Sequence, residues 1–185
     1  MKRVAITGGI ACGKSLVAKY LNELGYATVD ADDVAHELVP PEERARLAKV
    51  VFRDPAARKA LEARLHPVIR SRIEAWLAGE GEASASPVGP ASPASPVRIA
   101  IVPLLFEVHW DGDYDIICCV TSEKETQVAR MMTTRGYTRE EAEARIAAQM
   151  PLDEKASKSH YVIANDGSAE DLRESVAQFA KWLER

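Results

Sequence analysis

The sequence predicts an α/β fold in three layers, a five-stranded parallel sheet with helices on both faces. Three observations carry that expectation. Five short apolar runs alternate with stretches of helical periodicity along the 185 residues, the pattern of βα units rather than of hairpins. The runs are apolar at successive positions, as in strands buried on both faces. The first, Val4-Ala5-Ile6-Thr7, passes directly into Gly8-Gly9-Ile10-Ala11-Cys12-Gly13-Lys14-Ser15, which reads G-x-x-x-x-G-K-S, the phosphate-binding loop.

The elements follow in order. After the loop, Leu16, Val17, Tyr20, Leu21 and Leu24 recur at helical spacing, and Gly25 closes the helix. Tyr26 to Val29 reads as a second strand, expected beside the first, ending at Asp30-Ala31-Asp32-Asp33. From Val34 the pattern is helical until Pro40-Pro41. Residues 42–78 are helical throughout, with Asp54-Pro55 as an N-cap and first-turn pair and Val68, Ile69, Ile73, Trp76 and Leu77 on one face. Residues 79–96 are almost wholly Gly, Ala, Ser, Glu and Pro, too poor in apolar surface to offset ordering entropy, and are expected to form a mobile surface loop. Val97 to Val102 and Asp115 to Val120 are buried strands, with Pro103-Leu104-Leu105-Phe106-Glu107 after the first. Ser122 to Glu125 and Thr138 to Glu141 both have capping-box form and open helices. Tyr161 to Ala164 is a last strand, and Ser168 caps a closing helix that buries Leu172, Val176, Phe179 and Leu183.

Composition bounds the function. With 46% hydrophobic and 28% charged residues the chain is an ordinary globular protein, and a net charge of −4 gives no general field for nucleic acid or an anionic membrane. Bound phosphates therefore need a local site. Cys118 and Cys119 are adjacent, so in a strand they point to opposite faces; with Cys12 they read as reduced core residues, without metal-ligand spacing. No apolar run is long enough to span a bilayer, and a cytoplasmic protein is expected.

The chemistry concentrates at three places. Glycines let the loop amides Gly8, Gly9, Ala11, Cys12, Gly13, Lys14 and Ser15 wrap an anion, Lys14 reaches the β- and γ-phosphates, and the Ser15 hydroxyl holds Mg²⁺. Asp30 and Asp32 stand at a strand's carboxyl end, where a carboxylate can take the proton of an attacking hydroxyl; Asp32 is assigned that role, with helix capping as the competing use. Arg130, Arg135, Arg139, Arg145, Lys155 and Lys158 form a basic helical hairpin, either a closing lid or a solvated face paired with Glu140, Glu141 and Glu143. The four histidines lack ligand spacing and read as structural.

Together, Thr7-Gly8-Gly9-Ile10 with Gly13-Lys14-Ser15, Val29-Asp30-Ala31-Asp32, Val51-Phe52 with Asp54-Pro55, Leu65-His66-Pro67, Pro103 to Glu107, Gln127 with Arg130, Arg145-Ile146 with Gln149, and Asn165 with Gly167 resemble the dephospho-CoA kinase family over nearly the whole chain. The resemblance implies a three-layer P-loop NTPase fold in a single domain. Its parts would be a core (1–33, 97–126, 159–185), a helical acceptor-binding region (34–78), the Ser/Pro loop (79–96) and a lid (127–158). It implies transfer of the γ-phosphate of ATP, with Mg²⁺, to the ribose 3′-hydroxyl of dephospho-CoA. Asp32, Lys14, Arg130 and Arg145 would be catalytic, Leu16 and Asn165 would join the loop in nucleotide binding, and Ser15 would hold the metal. ATP and dephospho-CoA are the expected partners, with no nucleic acid or membrane, in a monomer or weak homo-oligomer. The alternatives are a kinase of another small alcohol or nucleoside monophosphate, or a non-catalytic nucleotide-binding relative. The chain departs from the family pattern in Leu16, Ala11-Cys12, a short stretch between Asp33 and Val51, and Thr134, with Arg135 one position beyond the family's second lid arginine.

Overall fold

The computed structural model describes residues 2–40, 42, 54–80 and 97–185. The expected mobile loop lies outside the described residues apart from Gly79 and Glu80, as does the stretch around Val51-Phe52. The chain divides into two compact units, Met1–Thr28 with Val88–Arg185, and Val29–Pro87.

The first unit is built on strands β1 (Lys2–Gly8), β3 (Val97–Ile101), β4 (Ile116–Thr121) and β5 (Tyr161–Ala164), and β2 (Ala27–Asp30) begins in it and ends in the second unit. The sheet order is β2-β3-β1-β4-β5. Parallel ladders join β1 to β3 (Val4 opposite Ile99), β1 to β4 (Ile6 opposite Cys118) and β4 to β5 (Val120 opposite Ile163). The expected neighbour relation of β2 and β1 is therefore corrected: β3 lies between them. Val97, Ile99, Ala100 and Ile101 of β3 are all buried, whereas only Val29 of the four β2 residues is, so the more apolar strand takes the interior place and β2 the edge.

The helices of this unit are α1 (Lys14–Glu23), α4 (Lys124–Arg135), α5 (Arg139–Ala147), α6 (Leu152–Ser157) and α7 (Ala169–Leu183), with α2 (Ala31–Leu38) and α3 (Pro55–Ala78) in the other. Val17 and Leu21 of α1 and Leu172, Val176 and Phe179 of α7 pack on one side of the sheet with Ile6 and Cys118. Cys119 instead lies near Lys155 of α6, so the adjacent cysteines do face opposite ways and helices cover both sides. All three cysteines are free and buried. α1 ends in paired bonds, Tyr26 N–H to Leu21 O (3.0 Å) and Gly25 N–H to Asn22 O (2.9 Å), a Schellman closure. Leu24, expected on the buried face, is the C-cap and 51% exposed. The imidazole of His160 accepts from Ile117 N–H (3.0 Å), extending the β4–β5 ladder in the structural role expected of it.

In the second unit, Asp30 caps α2 through Asp32 N–H (2.9 Å), and Asp54 accepts from Ala57 N–H (3.1 Å) at the start of α3. Ile69, Ile73, Trp76 and Leu77 form the buried stripe of α3, while Val68, expected with them, is 44% exposed. One residue of helix turns a side chain by about 100°, enough to carry Val68 off the stripe that Ile69 sets.

Candidate active site

The phosphate loop leaves the end of β1 and enters α1 through Gly13, which is the N-cap with φ 91° and no side-chain capping bond. A Cβ at Gly13 would stand 2.3 Å from Asn165 Nδ2, so only glycine fits both the backbone angle and the space. Gly8 is as constrained, with φ 141° and a hypothetical Cβ 2.1 Å from the Val120 carbonyl oxygen. Ala11 adopts φ 58° although it has a Cβ, a conformation that costs about 1 kcal/mol or more. The N-terminal amides of an α-helix lack intrahelical partners and carry its positive end. Here the N-cap, Gly13, makes no side-chain capping bond, and a helix end of that kind can receive an anion.

The outward-facing polar atoms of the turn are held from several directions. Lys14 Nζ donates to the carbonyls of Gly8 (3.1 Å) and Gly9 (2.8 Å), fixing the ammonium against the loop. Ile10 N–H donates to Gln149 Oε1 (2.9 Å), and Asn165 Nδ2 donates to Cys12 O (2.8 Å). The Arg130 guanidinium donates to Ala11 O (3.3 Å), Ser122 Oγ (3.0 Å) and Asn165 O (2.9 Å), bracing the strained Ala11. Burial pushes the Cys12 thiol up, outweighing the Lys14 charge and hydrogen bonding to Ser122 and Gly9, while Cys119 is pushed up to about 12, mainly by burial. Both thiols are therefore neutral and poor nucleophiles at neutral pH. Asn165, expected at the nucleotide, is thus joined to the loop on one side and to Arg130 on the other.

The expected capping box at Ser122 does not form. Glu123 is the N-cap of α4 without a side-chain bond, and Ser122 is buried, donating to Asn165 O (2.8 Å). The hydroxyl is drawn into the Arg130 cluster, and Asp166 Oδ1 accepts from Glu123 N–H instead (2.8 Å). The box at Thr138 and Glu141 forms in full and opens α5.

The cations of the hairpin separate into four kinds. Arg130, midway along α4, is an anchor. Arg139 pairs with Glu125 (2.9 Å) and Glu143 (3.4 Å), and Lys158 with Glu154 (2.6 Å), all on exposed surface. These partners differ from the expected Glu140 and Glu141, although Glu143 is among those named. Arg145 lies with its Cζ 4.3 Å from the centre of the Tyr137 ring. α4 is helical through Arg135 to its C-cap Gly136, and the Thr134 hydroxyl bonds back to Arg130 O (2.6 Å). Lys155, grouped with the lid cations by sequence, is fully buried instead, paired with Glu107 (2.7 Å).

Asp32 lies in the first turn of α2 in the second unit and is exposed. The capping role that competed for it belongs to Asp30. Ser15, at the start of α1, is also exposed. No group of three or more His, Cys, Asp or Glu among the described residues could hold a metal by itself. A single hydroxyl beside an anion seat does suit Mg²⁺, which takes few protein ligands and shares the nucleotide's phosphates.

Sequence reasoning gave Gln149 and Glu107 no role and Ser122 only that of a cap; in the fold Gln149 holds Ile10 N–H, Ser122 accepts from Arg130, and Glu107 holds the Met150 amide next to Gln149. The signal for Lys155 was its neighbourhood: a lone cation in a six-residue helix that follows Met150-Pro151 and begins at Leu152.

Among the described residues no helix is long and apolar enough to cross a membrane. A family model described as dephospho-CoA kinase matches residues 2–46 and 42–171. A dephospho-CoA kinase of Symbiobacterium thermophilum is 38% identical over 98% of this chain and 80% of its own length. One from Geobacter sulfurreducens is 36% identical over 100% of this chain and 99% of its own. The crystal structure of a Thermus thermophilus protein superposes with a TM-score of 0.76 at 34% identity, covering 98% of this chain and 97% of that one. With the uncapped phosphate loop at the tip of β1 and a family match over most of its length, the chain belongs to the dephospho-CoA kinase family.

Proposed function

We propose that the chain transfers the γ-phosphoryl group of ATP to the ribose 3′-hydroxyl of dephospho-CoA, the last step of coenzyme A synthesis. The observation that carries this reading is the N-terminus of α1, which Gly13 leaves without a side-chain cap, in a loop braced by Gln149, Asn165 and Arg130. Loop amides and Lys14 take the β- and γ-phosphates, with Asn165 holding the loop for the nucleotide. Ser15 is the residue that would hold Mg²⁺, which supplies charge neutralisation between the phosphates. The acceptor oxygen forms a bond to the γ-phosphorus as the bond to the β–γ bridging oxygen breaks, releasing ADP, and the hydroxyl proton passes to the Asp32 carboxylate. Arg145 stabilises the charge that spreads over the transferring group. Arg130 contributes too, since a guanidinium has five N–H donors and three bonds to described residues account for its anchoring. Residues 34–78 serve as the acceptor-binding region and 127–158 as the lid.

The test is a coupled ADP-release assay with a panel of acceptors. Dephospho-CoA should support turnover and nucleoside monophosphates or small polyols should not; turnover restricted to another alcohol would assign a different acceptor. Asp32→Asn should lower kcat about a hundredfold or more while the KM for ATP changes by less than about threefold. Equal losses in both would give Asp32 a structural or metal-holding role.

A further inference from the structure

Lys155 is fully buried, and a buried ammonium persists only where its charge and donors are matched. Lys155 Nζ meets Glu107 Oε1 at 2.7 Å and donates to the Pro103 carbonyl at 2.9 Å. Each acceptor is shared. Pro103 O also takes the hydroxyl of Thr7 (3.2 Å), the residue before the phosphate loop. Glu107 Oε1 also takes Met150 N–H (3.1 Å), and the preceding residue, Gln149, is the one that holds Ile10 N–H inside the loop. The contacts therefore close a ring, from Thr7 through Pro103, Lys155, Glu107 and Met150-Gln149 back to Ile10. The ring encloses the first half of the loop without using a loop side chain. Glu107 Oε2 is buried with no hydrogen-bond partner among the described residues. An orphaned oxygen is a cost that simple filling of space does not explain, whereas holding Oε1 at Lys155 and Met150 does.

We propose that Lys155 and Glu107 are positioning residues for nucleotide binding. They fix the chain at Met150 so that Gln149 holds the loop in its anion-receiving shape. Through them the end of the hairpin at Gln149 and the loop are one mechanical piece, so the segment returning from α5 to α6 sets affinity for ATP without touching it. This rests on the kinase reading above.

Three variants test it: Gln149→Leu, Lys155→Met, and the double change Lys155→Met with Glu107→Leu. Gln149→Leu removes a single acceptor from the ring; it should keep the native melting temperature, raise the KM for ATP about tenfold, and leave kcat within about twofold. Lys155→Met alone leaves a partly buried carboxylate without its cation and should melt early. The double change replaces the pair with apolar bulk, so it should recover melting temperature yet keep the raised KM, with faster hydrogen exchange at the Ile10 amide. A double variant that recovers both stability and KM, or a Gln149→Leu protein with unchanged KM, overturns the proposal and leaves an ordinary buried ion pair. Failure of the kinase reading is distinguishable, because unmodified protein would then show no saturable ATP-dependent turnover.

Discussion

The phosphate loop and the α4–α5 hairpin use the same kinds of side chain in opposite ways. At the loop, lysine and arginine donate to backbone carbonyls, and side-chain amides reach in from Gln149 and Asn165. On the hairpin, arginine meets carboxylates and a tyrosine ring at the surface. A carbonyl fixed by a charged, partly buried donor resists movement, because breaking the bond strands a polar group. An exposed ion pair gives up little when it parts. The difference teaches that the loop is built to keep one shape and that the hairpin cations can be redirected at small cost, as cations that close over a substrate must be.

That contrast can be broken first at Lys14. Lys14→Ala removes the cation held on the Gly8 and Gly9 carbonyls, and turnover should fall about a thousandfold or more with an unchanged circular dichroism spectrum. Near-normal turnover would mean that the loop does not seat the transferring phosphates. Next comes Arg130→Ala, which affects both stability and rate. Losing its charged hydrogen bonds should destabilise the fold by about 2 kcal/mol in urea unfolding, and kcat/KM should fall about a hundredfold as Ala11 loses its brace. A variant that loses rate with full stability would make Arg130 purely a partner of the phosphate.

The core that positions the site was legible because it depends on local pattern. Apolar runs, the Gly13-Lys14-Ser15 turn, and the Thr138 and Ser168 caps are properties of neighbouring residues, and the five strands and the helices opened by those features formed within a few positions of their expected places, while the helical expectation for residues 43–53 lies outside the described residues. What escaped depends on residues far apart in sequence. Ser122 has the form of a cap, but Asn165, 43 positions on, and Arg130 claim its hydroxyl. Lys155 has the form of a surface cation until Glu107 and Pro103 are brought beneath it by the β3–β1–β4 register. Likewise β2 was expected beside β1, because strand order reflects which apolar run wins the interior, and chain order does not reveal that.

A smaller effect is expected at Arg145. If the hairpin is a lid, Arg145→Ala should lower kcat about tenfold and leave the KM for ATP and the urea midpoint nearly unchanged. If Arg145 only packs on Tyr137, the midpoint should fall slightly with no change in kcat.

Arg139 should matter least, and its variant sharpens the contrast at the surface end. Its hydrogen bond and charge hold the Glu125 carboxyl below the usual glutamate value of 4.5. A carboxyl with a depressed folded-state pKa contributes stability that is present above its unfolded pKa and is lost as pH falls through the folded one. Whatever Arg139 adds should therefore be present at pH 7, begin to shrink below about pH 4.5, and disappear in more acid solution. Because both partners are solvated, salt should screen it as well. Arg139→Ala should keep kcat within about twofold, and its unfolding midpoint should converge with that of the unmodified protein in acid or in 1 M salt. A midpoint difference that survived both conditions would mean that this part of the hairpin is held as firmly as the loop, and the division between fixed and redirectable cations would have to be drawn elsewhere.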